Sequence, residues 1–341
     1  MKRTLIVGDI HGCYDELREL FDRAALGEGD LVVSVGDLVD RGPQPAEVLR
    51  WFRARPGAVV VAGNHERKHA RGVLSYAQQI TRLQLGEGYG EATAWMGKLP
   101  YYYEGGGVRV VHAAMLPGRP LSEQPEEVLC GSTAGEAALR EALPGGFWHE
   151  AYDDPTPVVF GHHVVGPEPL VREGRVYGID TGACHGMRLT ALVLPSFELV
   201  SVAARTDHWR ETKRRWQVPV LRQRPWLTMD FDQIDRKVSE LARGADAEAT
   251  AYLAGVRAWS EQVRAAIPAL ASAADAAIAR LAEAHGDEGF RRAAAAHPAG
   301  STLIRRQMGR LSTERLGCSH ADAVLTLASQ LGVTLALPPA P

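Results

Sequence analysis

Across the first 66 residues, short apolar runs alternate with amphipathic stretches. Thr4-Leu5-Ile6-Val7, Leu31-Val32-Val33-Ser34-Val35 and Ala58-Val59-Val60-Val61-Ala62 are each followed by glycine, and β-branched runs bounded in this way predict strands buried on both faces. Between them, Tyr14 to Ala25 gathers Leu17, Leu20 and Phe21 on one helical face, and Pro43 to Arg55 does the same with Val48, Leu49, Trp51 and Phe52. Gly27, Gly29 and Pro56-Gly57 end these helices, so the pattern predicts two βαβ crossovers in a parallel sheet. Further on, Gly107 to Val111 and Pro157 to Phe160 predict strands of a second sheet, and Arg175 to Gly182, Arg188 to Leu192 and Glu198 to Val202 predict three more strands. Residues 66–99 read as irregular helix interrupted by Gly72, Gly86, Gly88 and Gly90, either a substrate rim or flexible connectors.

The pattern changes after Ala204. Residues 205–229 interleave Arg205, Arg210, Lys213, Arg214, Arg215, Arg222 and Arg224 with Trp209, Trp216 and Trp226. Such a stretch serves either as a nucleic-acid surface or as a linker whose tryptophans dock on the protein itself. From Asp230 the spacing is helical, with Ile234, Val238 and Leu241 before Gly244, then Trp259, Val263 and Ile267 before a break at Pro268. Asp287 to Ala296, Ser301 to Leu316 and Ser319 to Leu331 read as further helices, with Ser319 as an N-cap. The expected organisation is a catalytic domain at 1–204, a basic Trp-containing linker at 205–229 and a helical domain at 230–341. No phosphate loop or nucleotide fingerprint occurs in the helical part, so its expected roles are to cover the site rim, oligomerise or hold a partner.

The strand ends carry the chemistry. The three N-terminal runs lead into Gly8-Asp9-Ile10-His11-Gly12, Gly36-Asp37-Leu38-Val39-Asp40-Arg41-Gly42 and Gly63-Asn64-His65-Glu66. Asp9 to Asp37 is 28 positions and Asp37 to Asn64 is 27, one crossover each, so the clusters share the carboxyl edge where open α/β sheets bind ligands. Asp9, His11, Asp37 and Asn64 offer oxygen and imidazole donors suited to Mn²⁺, Fe or Zn²⁺. The second-sheet runs likewise deliver His112 and His162 from strand ends.

These three blocks resemble the signature blocks of the calcineurin-like metallophosphoesterases. Asp40-Arg41-Gly42 and His65-Glu66 are similar to the phosphoprotein phosphatase branch, which includes bacterial phosphatases and symmetrical dinucleoside tetraphosphatases. The stretch from Ile179-Asp180-Thr181-Gly182 to Glu198-Leu199-Val200-Ser201-Val202 resembles the phosphatase module of bacterial polynucleotide kinase-phosphatases, and Leu129 to Glu136 echoes a loop of that module, with Ser132 where an Asp is more usual. The resemblance spans about the first 200 residues. It implies a four-layer αββα sandwich (fold class α/β) with an all-helical C-terminal extension.

It also implies two divalent ions, with Mn²⁺ first and Fe or Zn²⁺ as alternatives. Asp9 and His11 are assigned to one ion, Asn64, His112 and His162 to the other, and Asp37 to both. A hydroxide made between the ions would attack phosphorus in line. Arg41, Asn64 and Arg188 form the expected phosphate-binding set, with Arg119 and Arg140 as further candidates for the second arginine. His65, held by Asp40, is the expected acid for the leaving group. His163 is read as a rim or supporting residue.

Composition then narrows the partners. A net charge of −3 gives no overall field for nucleic acid or anionic membrane, and Cys13, Cys130, Cys184 and Cys318 lack paired spacing. With no signal-like segment and no membrane-length apolar run read in the sequence, the expected location is the cytoplasm. The leading expectation is hydrolysis of phosphomonoesters on protein or small molecules. Symmetrical dinucleoside tetraphosphate hydrolysis and nucleic-acid end-processing follow, and a non-catalytic partner-binding module is the rival from another class.

Overall fold

The computed structural model describes residues 3–339. Ten strands are present in that range: β1 (Thr4–Val7), β2 (Leu31–Ser34), β3 (Ala58–Val60), β4 (Tyr102–Gly105), β5 (Val108–Val111), β6 (Val158–Phe160), β7 (Leu170–Arg172), β8 (Val176–Gly178), β9 (Arg188–Leu194) and β10 (Glu198–Ala203). They form two five-stranded sheets, ordered β10-β9-β1-β2-β3 and β4-β5-β6-β8-β7. β1, β2 and β3 are parallel, with Ile6 opposite Val33 and Val33 opposite Val59, and β9 runs antiparallel to β1. In the second sheet β5, β6 and β8 are parallel, and β4 and β7 are antiparallel edges.

The central strands are buried on both faces because each alternates between two cores. Ile6, Val33, Val61, Val110, Val159, Ile179 and Leu192 meet between the sheets. The alternate positions Leu5, Val7 and Val32 face α1 (Tyr14–Arg23) and α2 (Pro45–Ala54) through Leu17, Leu20, Phe21, Val48 and Phe52. On the far side, Val111, Val158 and Phe160 pack on Leu121, Val128, Leu129 and Trp148. Each fully buried aliphatic side chain contributes about 1.5–3 kcal/mol, and the result is the four-layer sandwich with a helical C-terminal region.

The irregular stretch after the third block resolves into α3 (Asn64–Ala70), α4 (Tyr76–Leu85) and α5 (Tyr89–Met96), joined in part by a 3₁₀ turn at Gly86–Gly88. Two short helices, α6 (Glu126–Leu129) and α7 (Thr133–Ala142), precede β6, and Ser132 caps α7 by accepting the Gly135 N–H at 3.3 Å.

The chain divides into two compact units, 1–216 and 217–341. The division falls within α8 (His208–Arg222), so the basic stretch expected as a linker is largely helix and contains Pro219. Trp226 is buried in the second unit's core with its indole N–H donated to the Leu221 carbonyl, whereas Trp209 lies beside Tyr76 and under the Lys213 ammonium. The second unit contains α9 (Phe231–Ala242), α10 (Ala247–Ala265), α11 (Ile267–Ala296), α12 (Gly300–Gln307) and α13 (Ala321–Gln330). Pro268 marks the start of α11 as expected, in its first turn where a missing N–H costs nothing.

Three expectations for this unit are corrected. The helix read from Ser301 to Leu316 stops at Gln307, ahead of Gly309 at φ 68°. The cap read at Ser319 belongs to His320, whose ring accepts the Ala323 N–H at 3.3 Å. Ala247–Ala296 contains a window of mean hydropathy 1.3, long and apolar enough by length and composition alone to span a membrane. Alanine supplies much of that apolarity, and Leu253, Val256, Trp259, Val263 and Leu270 from it build the unit's core.

Candidate active site

Backbone bonds knit the strand-end loops into one surface. The amides of Ile10 and His11 donate to the Asp37 carbonyl at 3.2 and 2.8 Å, and that of Gly12 donates to Leu38 at 2.8 Å. The His162 amide donates to both Asp9 carboxylate oxygens at 3.2 and 3.1 Å, which ties the second sheet to the first. A β-carbon at Gly161 would come within 1.9 Å of Asp9 Oδ1, and one at Gly63 within 2.1 Å of Asp37 Oδ1, so these glycines are required for the backbone to approach the carboxylates. His11, Asp37, Asp40, Arg41 and His162 all sit at positive φ, between 47° and 71°. Left-handed backbone at non-glycine residues costs energy and gathers where the surrounding structure enforces a functional geometry.

Asp37 is the centre. Its carboxylate lies 3.5 Å from His11 Nε2, 3.5 Å from His112 Nε2 and 3.8 Å from His65 Nε2, and it is only 2% exposed. His11 Nδ1 bonds the Val39 carbonyl at 2.9 Å and His112 Nδ1 bonds the Val35 carbonyl at 3.0 Å. A carbonyl can only accept, so each Nδ1 carries the proton and each Nε2 presents a lone pair, the arrangement that orients metal-binding imidazoles. His112 Nε2 and Asn64 Oδ1 are buried without a hydrogen-bond partner. Such atoms are costly unless a ligand satisfies them, and with Asp9 and Asp37 beside His112 they form a donor set that fits divalent cations.

Burial is the largest influence on the charges. It pushes the Asp9 carboxyl well above the ordinary range, helped by Asp180 and Asp37. Burial also opposes ionisation of Asp37, but His112, His65, His11 and Arg41 outweigh it and hold that carboxyl below the usual range. Burial lowers His11, His112 and His162, the last to about 2. Neutral imidazole is the form a cation needs.

Arg41 extends from the same loop between two rings, donating to His11 Nε2 at 2.9 Å and to His65 Nε2 at 3.1 Å. His65 Nδ1 bonds Asp40 at 2.5 Å. Burial opposes protonation of His65, yet Asp37 and Asp40 raise it above its ordinary value. Asp40 is fully buried and also accepts His69 Nε2 at 2.9 Å and the Gln78 amide. These bonds overcome burial and hold its carboxyl well below the usual range.

Asp9, His11, Asp37, Asn64, His65, Asp40, Arg41 and His112 are therefore together, and His162 joins through its amide, with its ring 5.1 Å from that of His112. Its Nε2 faces Glu136 at 3.2 Å. Of the arginine candidates, Arg119 lines a separate groove, Arg140 lies at the rim 3.9 Å from Glu136, and Arg188 begins β9 with its Nε buried and unpartnered.

Sequence reasoning gave no role to Glu66, His69, Gln78, Glu136 or Asp180. Glu66 accepts the amides of Asp37, Leu38 and Gly63 at 2.9, 2.8 and 3.0 Å, locking the second block to the third. Asp180 is buried beside Asp9, and its carboxyl is pushed up to about 6 by burial and by Asp37. Its signal was the same strand-end pattern, Val176 to Ile179 running into Asp180-Thr181-Gly182.

Comparison with known proteins agrees with this geometry. The calcineurin-like phosphoesterase family profile matches residues 2–189. The bis(5'-nucleosyl)-tetraphosphatase PrpE (asymmetrical) of Bacillus subtilis (strain 168) is 32% identical over 229 residues, which cover 58% of this chain and 93% of the relative. A symmetrical bis(5'-nucleosyl)-tetraphosphatase of Aromatoleum aromaticum is 37% identical over 148 residues, 39% of this chain and 54% of that protein. A crystal structure provisionally named a diadenosine tetraphosphatase is 28% identical with a TM-score of 0.50, covering 60% of this chain and 94% of its own. By blocks, fold and site, the chain belongs to the calcineurin-like phosphoesterase family and is a hydrolase acting on phosphate esters.

Proposed function

We propose that this hydrolase cleaves dinucleoside polyphosphates, using two divalent cations, with Mn²⁺ as first choice. The observation that carries the reaction class is Asp37, a buried carboxylate ringed by imidazoles whose free nitrogens face it. Support for the substrate class comes from relatives of which this chain spans 93% and whose names specify bis(5'-nucleosyl)-tetraphosphate. That support moves tetraphosphate hydrolysis ahead of the phosphomonoester reading favoured from the sequence.

Asp9 and His11 would hold one cation, Asn64, His112 and His162 the other, and Asp37 both. Bound there, the cations supply positive charge to the phosphoryl oxygens and make water nucleophilic at neutral pH. The protein's own groups do the rest. Arg41 presents a planar, permanently charged fork to the phosphate oxygens, a geometry lysine lacks. Asp40 fixes the Nδ1 proton of His65, so His65 Nε2 faces the site and in its protonated form donates to the departing oxygen. Glu66 keeps the loops bearing Asp37 and Asn64 in register.

The test is turnover of diadenosine tetraphosphate against a phosphothreonine peptide with added Mn²⁺. A ratio far above one supports the proposal. ADP as sole nucleotide product means symmetrical cleavage, and ATP with AMP means asymmetrical cleavage. A ratio far below one rejects the substrate class and returns the phosphomonoester reading to first place.

A further inference from the structure

Next to the site is a cavity of about 770 Å³ that the reaction chemistry above does not use. Its size is within the range of pockets that enclose small organic ligands. It adjoins the proposed metal centre through a row of rings: His112 and His162 are 5.1 Å apart, His162 and His163 are 4.4 Å apart, and His163 lines the cavity. Phe160 forms another wall from the strand that ends in His162, so pocket and site are positioned by the same element, β6.

The lining is aromatic and ordered in one direction. Phe147 stacks on His149 with ring centroids 5.4 Å apart and planes 16° from parallel, and His149 stacks on Phe160 at 5.8 Å and 15°. Trp148 closes the side of this column, meeting Phe160 edge-on at 5.0 Å. Phe147, at the open end, is 65% exposed, which leaves its ring accessible to a ligand that continues the column. A ligand that extends this column must therefore be flat. Arg140 lines the same cavity with its side chain 71% exposed and one loose ion pair at 3.9 Å, free to meet an anionic group between pocket and metals.

We infer that this cavity is a nucleobase site, in which the base of a nucleotide substrate stacks on Phe147 while Arg140 holds the adjoining phosphate. The inference rests on the proposed nucleotide substrate and names the part of this chain that selects it. A base stacked on an aromatic side chain is sequence-tolerant, because every base has a π-face, so the site selects nucleotides over base-free phosphates rather than one base over another.

The experiment compares wild type, Phe147→Ala, Phe147→Leu and Phe147→Trp by kcat/KM on diadenosine tetraphosphate relative to inorganic tetraphosphate. Calorimetric titration of AMP into each protein runs alongside. Phe147 is exposed, so thermal melts should show all four proteins folded. The expected result is a fall of about tenfold or more in the substrate ratio for Ala, carried by KM, a similar fall for Leu because bulk without a ring does not stack, and recovery in Trp. Unchanged ratios in an enzyme that does hydrolyse diadenosine tetraphosphate overturn the nucleobase site and leave the proposed function standing. If wild type hydrolyses phosphate esters but not diadenosine tetraphosphate, the proposed function falls, and the titration decides the pocket separately. AMP binding lost in Phe147→Ala supports the site, and no AMP binding by wild type overturns it.

Discussion

Asp40→Asn separates the structural and catalytic work of one buried carboxylate. Asp40 receives three side chains: His65 and Gln78 on Oδ2, and His69 on Oδ1. An asparagine whose oxygen takes the Oδ2 place keeps two of those donors. Its NH₂ then meets His69 Nε2, which can accept if the His69 proton moves to Nδ1 and is donated to the Tyr89 oxygen 3.0 Å away. No donor is orphaned, so the fold loses only the excess strength of ionic over neutral hydrogen bonds, about 2 kcal/mol. Asp40→Ala leaves all three donors unsatisfied and costs about 3 kcal/mol or more. Catalysis responds differently, because a neutral amide in place of the carboxylate removes one of the two charges that raise His65, leaving Asp37, and the imidazole holds its acidic proton less strongly. General acid catalysis is worth about 10²–10⁴-fold. On an alkyl phosphate, whose alkoxide leaves poorly, Asp40→Asn should lower kcat by about 100-fold or more. On diadenosine tetraphosphate, whose leaving group departs as a stable phosphate anion, the loss should be far smaller, and His65→Ala should reproduce both results. The assay is kcat across leaving groups of graded basicity, with urea melts to confirm folding. Equal losses on all leaving groups would refute the acid role of His65 and leave Asp40 as a fold element.

Other outcomes follow from the same geometry. Asp37→Asn should abolish turnover and reduce bound divalent metal below two ions per chain, read by elemental analysis of the purified protein. Gly161→Ala, whose methyl would displace the Asp9 carboxylate, should lose metal and activity while its circular dichroism stays that of wild type. Metal-free protein should lose stability as pH falls below about 6.5, because His11, His112 and His162 are held neutral by burial whereas the unfolded chain takes up those protons. The unfolded state binds more protons in that window, so stability rises with pH there, by about 1.4 kcal/mol per pH unit for each such histidine. His162→Gln should reduce the slope of urea stability between about pH 6.5 and 4 by roughly one such increment, and an unchanged slope would show that its ring is not buried neutral.

The strand-end residues were legible because one grammar produced them. Buried strands require unbroken apolar runs, and the polar residue that follows each run lies at the sheet edge. Asp9, Asp37, Asn64, His112 and His162 all follow this rule. Asp180 follows it too, but a single carboxylate after a strand has no adjacent second group to set it apart from an ordinary turn. Glu66, His69 and Gln78 were not legible as site residues because they sit inside helices, where an acidic first turn or a lone histidine has ordinary explanations. Their roles depend on burial against Asp37 and Asp40, which spacing does not encode. The helical character of the basic tryptophan stretch was not legible for a related reason. Its helical periodicity emerges only once Val218 and Leu221 are packed in a core, and Pro219 lies in the helix interior, where proline is locally disfavoured.

Asp9 and His162 stand 153 positions apart, yet the amide of one meets the carboxylate of the other. The entropic cost of closing a loop rises only slowly with its length, so the two sheets, drawn together by the core between them, can fasten a very long loop at one point. That contact works as a buckle on the sandwich, and cations held at the same spot would tighten it. Hydrogen exchange at the His162 amide would accordingly report on the opening of this contact between the two sheets.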